Sequence, residues 1–113
     1  MPNTLTAAAT RAALSRRAFA EIKEALTASP RSLARLWPRL TPLERAACWR
    51  LLPAGRLAEA ARALSGQARW QAYQSSSIEC LAPLLEDAAI GARKFFRAPS
   101  RREAALLRSG IKR

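Results

Sequence analysis

Apolar positions recur along this chain with helical spacing, and proline and glycine cut them into short lengths. Leu5, Ala8, Ala12, Ser15, Phe19, Ile22 and Leu26 fall on alternating three- and four-residue steps, which predicts one long helix over 5–28. Arg17 and Glu21 are four apart on its wet side and are placed to pair. Ser29-Pro30 stops that helix and opens a short second one with Leu33, Leu36, Trp37 and Leu40, limited by Pro38. Thr41-Pro42-Leu43-Glu44 is the sharpest local signal. Thr41 caps, Pro42 takes the first helical position and Glu44 reaches back, so a helix runs over 42–52 until Pro53-Ala54-Gly55 breaks it.

Arg56 to Leu64 predicts a further helix closed by Ser65-Gly66, and Gln67 to Gln74 another, with Trp70 and Tyr73 three apart on one face. Ser75-Ser76-Ser77 reads as a loop, with Ser76 and Glu79 as a capping box. From Ile78 to Arg97 the spacing of Leu81, Leu85, Ala88, Ala92 and Phe95 is helical; Pro83 either kinks that helix or marks its start. Ser100 and Glu103 form a third capping box for a last helix ended by Gly110, and a short basic tail covers about 110–113. The absence of Val and the presence of only four Ile argue against strands. The expectation is an all-α fold: one helical domain over 1–113, a compact bundle of five to seven helices, several of them short, with a thin Ala-rich core.

No run of 18 apolar residues exists to span a membrane. Residues 1–20 carry Arg, Ala, Ser and Thr without an acid, a composition shared with transit peptides. The apolar register continuing through Glu21 and Glu24 to Leu26 favours an ordinary first helix instead. Cys48 and Cys80 lie in apolar stretches and read as buried thiols, which suits a reducing cytoplasm.

Catalytic chemistry finds little to work with. The chain has no His and one Asp, its adjacent acids Glu86 and Asp87 point about 100° apart on a helix, and its four glycines are isolated. The composition offers no imidazole base, no carboxylate dyad, no metal-ligand cluster and no phosphate loop. A non-catalytic protein without a cofactor is the expectation.

Charge changes the picture most. Seventeen Arg and three Lys against eight acids give a net charge of +12. Segment 93–113 alone carries +7, segment 31–69 carries +6 and segment 1–30 carries +2, whereas segment 70–92 carries −3. GC-rich coding drift accounts for Arg in place of Lys but not for so few acids. The planar guanidinium fork matches phosphate oxygens, so this surplus points to nucleic acid, RNA or DNA, held by its backbone with little sequence discrimination. Arg93, Lys94, Arg97, Arg101 and Arg102 form the first candidate binding set, and Arg31, Arg35, Arg45 and Arg50 the second.

Phe95 and Phe96 either stack on bases or anchor the helix end in the core, and their apolar setting favours the core. Trp37 and Trp49 lie between arginines; Arg45 and Trp49, four apart, are spaced for a cation–π pair. The helices over 42–52 and 56–64 also have lengths compatible with a helix-turn-helix that would offer Arg56, Glu59 and Arg62 to a groove. Size, helical content and basic balance are similar to those of small helical subunits lining nucleic-acid channels in ribonucleoprotein machines, such as the small subunits of CRISPR effector complexes. That likeness is one of class, implies an accessory role in a larger complex, and transfers no residue. The competing expectation is a helical adaptor or inhibitor on an acidic protein surface, anchored by Trp37, Trp49, Trp70 and Tyr73. A lipid-surface role for helix 5–28 ranks last.

Overall fold

A computed structural model describes residues 6–74, 81–86, 91–98 and 100–109. Its α-helices are α1 (Ala7–Ser15), α2 (Phe19–Ala28), α3 (Ser32–Leu36), α4 (Pro42–Leu51), α5 (Leu57–Ala63), α6 (Gly66–Gln74), α7 (Ala82–Leu85) and α8 (Arg101–Ser109). Short 3-10 helices follow at Trp37–Arg39, Ala54–Arg56 and Ala92–Phe95. The all-α expectation holds, with no strand among the described residues, but eight α-helices replace the expected five to seven. Splitting of the long stripes makes the difference.

The stripe over 5–28 is two helices. Arg17 adopts φ 59°, the left-handed region that ends helices. Ala18 N–H donates to the Ala13 carbonyl at 2.8 Å and Arg17 N–H to that of Leu14 at 3.1 Å, the paired bonds of a Schellman stop. A side chain in that conformation costs about 1–2 kcal/mol. The Arg17 guanidinium offsets this by donating Nη1 to the Leu14 and Ser15 carbonyls at 3.3 and 3.2 Å. Glu21 is left to Arg16, at 3.4 Å, rather than to Arg17. The register therefore does not run unbroken to Leu26, and the apolar faces of α1 and α2 are buried at Ala13, Leu14, Phe19, Ile22 and Leu26. The apolar faces of α1 and α2 thus turn to the core rather than to a lipid surface.

The stripe over 78–97 is also interrupted. Pro83 stands at the start of α7, which settles it as a beginning rather than a kink, and Gly91 at φ 93° precedes the 3-10 helix Ala92–Phe95. The capping box at Ser76 and Glu79, Cys80, Gly110 and the basic tail lie outside the described residues.

Helix α4 forms as its sequence dictates. Thr41 Oγ1 accepts from Glu44 N–H at 3.2 Å, and Glu44 Oε1 accepts from Thr41 N–H at 2.9 Å. Losing the cap in Thr41→Ala costs about 1 kcal/mol, and we expect a melting temperature lower by about 4 °C in a thermal scan. From Ala46 to Leu51 every residue is buried, so α4 is the central helix of the bundle. It packs on α2 and α6, while α8 packs on α5 and α6. Buried Ala46, Ala47, Ala60, Ala61, Ala68 and Ala72 allow close helix approach around the larger Phe19, Trp37, Trp49 and Phe96. Phe96 meets Phe19 edge-on at 4.8 Å. Burial pushes the free Cys48 thiol up to about 12, which leaves it an inert core group.

Candidate nucleic-acid interface

The structure divides the candidate arginines into two kinds. Arg50 is fully buried within α4, and its Nη2 pairs with Glu103 Oε2 from α8. Trp49 Nε1 donates to the same oxygen. Arg97 completes the group. Its Nη1 donates to Glu103 Oε1 at 2.6 Å, its Nε to the Leu52 carbonyl at 2.7 Å and its Nη2 to the Trp49 carbonyl at 2.9 Å. Arg97 thus caps the C-terminal end of α4 from a different segment, where a cation suits the helix dipole. Burial lowers the Arg50 pKa, opposed by the Glu103 charge. Burial raises the Glu103 pKa, but hydrogen bonding from Arg97 and the charges of Arg50 and Arg97 outweigh it, and the carboxyl sits below its ordinary value.

Arg45 is partly buried as well. Its guanidinium lies 5.6 Å from the Trp37 ring centroid, donates Nε to the Trp37 carbonyl at 2.8 Å and Nη1 to Gln71 Oε1 at 3.2 Å. Trp37 Nε1 shares that Gln71 oxygen at 2.7 Å. The cation–π partner of Arg45 is therefore Trp37, not Trp49. Arg45, Arg50 and Arg97 leave the candidate phosphate contacts, because all three are buried or half-buried and bonded to groups of the fold.

The other candidates face solvent. Arg93 and Lys94 are exposed on the 3-10 helix Ala92–Phe95, and Arg101 and Arg102 on the first turn of α8. Arg31 and Arg35 are exposed at and within α3. Arg31 reaches Glu59 at 3.8 Å, and Arg56 reaches it at 3.5 Å. Arg31, Glu59, Arg62 and Ala63 line a shallow depression of about 340 Å³. Glu59 therefore stands between Arg56, Arg31 and Arg62 on the helix suggested as a groove reader, and its carboxylate opposes phosphate there. Arg39, Arg62 and Arg108 stand outside the two candidate binding sets, Arg62 having entered only as a groove contact. These three are exposed, and with Arg35, Arg93, Lys94, Arg101 and Arg102 they have no side-chain ion pair or hydrogen bond among the described residues.

The aromatics divide in the same way. Phe96, Trp37 and Trp49 are core anchors, and Phe95 packs against the core. Trp70 stays exposed and stacks on Tyr73 at 5.7 Å between centroids. Among the described residues no helix is long and apolar enough to cross a membrane. Fold and surface together define a basic, all-α helical bundle. No protein-family model, curated protein or solved structure matches the chain.

Proposed function

We propose that this protein is a non-catalytic, nucleic-acid-binding accessory protein that holds phosphate backbones with little sequence discrimination. The observation that carries the reading is the set of exposed, unpaired cations Arg35, Arg39, Arg62, Arg93, Lys94, Arg101, Arg102 and Arg108. Buried or half-buried Arg45, Arg50 and Arg97 serve the fold instead. Charge left unpaired at a surface opposes its own compactness and favours a polyanion that neutralises it.

The test is the salt dependence of binding, read by fluorescence anisotropy with labelled oligonucleotides. Neutralising about six phosphates gives a log–log slope of about −5 on duplex and about −4 on a single strand. Affinity then falls by roughly 10³ between 50 and 200 mM salt on duplex. A near-flat dependence overturns the reading. The alternative, an adaptor or inhibitor on an acidic protein surface, loses Trp37 and Trp49 as anchors to the core and keeps Trp70 and Tyr73.

A further inference from the structure

We propose that Trp70 is a base-stacking platform, so that the ligand is single-stranded nucleic acid, RNA or DNA, rather than duplex. This deepens the backbone-binding reading and rests on it.

Trp70 is 42% exposed and, among the described residues, the one large hydrophobic side chain left in water. Its position follows from the helix. Ala68 and Ala72 bury the inner side of α6, and Trp70 lies opposite them at 100° per residue. The ring is held in place: Tyr73, one turn on, lies nearly parallel to it, with 25° between the planes. A ring already fixed in one orientation loses little freedom on stacking against a base. Base stacking is tolerant of sequence and operates only on unpaired bases, which expose their faces.

The surroundings fit the same ligand. Helix α6 carries no acid, and the exposed residues beside Trp70 include the neutral amides Gln67 and Gln74. Helix α6 packs against α8, which turns Glu103 and Leu107 inward and exposes Arg101, Arg102 and Arg108. An aromatic face and a row of unpaired cations therefore occupy neighbouring helices. That is the combination single strands use, cations on the phosphates and a ring on a base. A duplex would engage the cations and leave Trp70 idle.

The experiment compares strands with equal phosphates and different bases. Labelled oligo-dT and oligo-rU of about twelve nucleotides, an abasic strand of the same length and a duplex are titrated with wild type, Trp70→Ala and Trp70→Phe. Circular dichroism verifies the fold of each variant. We expect wild type to bind the strands with bases roughly 5- to 100-fold more tightly than the abasic strand. Trp70→Ala should remove that difference, leaving abasic binding and the salt slope unchanged, and Trp70→Phe should retain much of it. Intrinsic tryptophan emission should be quenched on binding in wild type but not in Trp70→Phe, since Trp37 and Trp49 are buried. Salt-dependent binding that ignores both the bases and the Trp70 substitutions overturns the stacking inference, assigns Trp70 to another ligand class such as a protein, and leaves backbone binding standing. Absence of binding by every strand at low salt overturns backbone binding itself.

Discussion

Glu103→Gln should destabilise the fold by about 3–5 kcal/mol and lower its melting temperature by roughly 10–20 °C, measured by chemical and thermal unfolding. The substitution preserves shape and removes one charge. Arg50 then remains with no exposure to water, and Arg97 loses the carboxylate bonded to its Nη1. An uncompensated buried cation is expensive, and a domain of this size has only about 5–15 kcal/mol of stability in total. Adding Arg50→Met to Glu103→Gln should recover much of the loss, because it removes the charge that can least be hydrated. That recovery separates a buried-charge penalty from the loss of a hydrogen bond to Trp49. A Glu103→Gln protein within about 0.5 kcal/mol of wild type would show that the trio contributes nothing.

The same cluster sets a pH dependence. Glu103 has a folded pKa below its unfolded value, so its contribution is fully present above the ordinary carboxylate range. It is lost as pH falls through the lower folded value. Glu44 acts in the same direction: the Arg11 hydrogen bond lowers its pKa against the effect of burial, through contacts of 2.7 and 2.9 Å. The wild-type advantage over Glu103→Gln should therefore shrink as pH falls below about 4. An advantage constant down to strong acid would contradict the ionised state of Glu103.

The helix signals legible in the sequence were those with directional local chemistry. Thr41-Pro42-Leu43-Glu44 specifies a start through bonds made within four residues, and the structure forms both of them. The break at Arg17 had no such marker, because left-handed stops usually carry Gly or Asn. Alanine hides the phase of the first helix as well: the three- and four-residue spacing puts Ala8 and Ala12 on its apolar stripe, whereas Thr10, Ala13 and Leu14 are buried. Residues that are small and abundant carry little information about which face is inside. The inward arginines were obscured for a different reason. Arg50 follows Cys48-Trp49 and precedes Leu51-Leu52, an apolar context that marks a helix buried all round. Glu103 is the single acid in a strongly basic block, and its spacing from Ser100 marks a capping residue without marking its other use. Ser100 Oγ does accept from Glu103 N–H at 3.2 Å, but the carboxylate turns to Arg50, Arg97 and Trp49. A lone acid among cations and an Arg among apolar residues were the signals that could have been joined.

Separating inward from outward arginines yields the second large effect. The triple variant Arg101→Gln, Arg102→Gln, Arg108→Gln should bind nucleic acid more weakly by two to three orders of magnitude near 0.1 M salt. Each phosphate contact contributes about 0.9 to the salt slope on duplex and about 0.7 on a single strand. Three lost contacts reduce the slope by about two to three, which at tenfold below 1 M salt is a loss of roughly 10²–10³ in affinity. All three side chains are exposed and unpaired among the described residues, so stability should change by no more than about 0.5 kcal/mol. Arg45→Met is the matched control. It also removes one positive charge, but that charge is occupied by the Trp37 ring and Gln71, so the salt slope should stay at the wild-type value. If the control lowers the slope as much per charge as the triple variant, binding follows net charge rather than a surface. If the triple variant leaves the slope unchanged, α8 lies outside the interface, and the exposed cations of α3 and of Ala92–Phe95 become the ones to test. A fall confined to the triple variant places the phosphates on the outer face of α8, whose inner face Glu103 holds against α4.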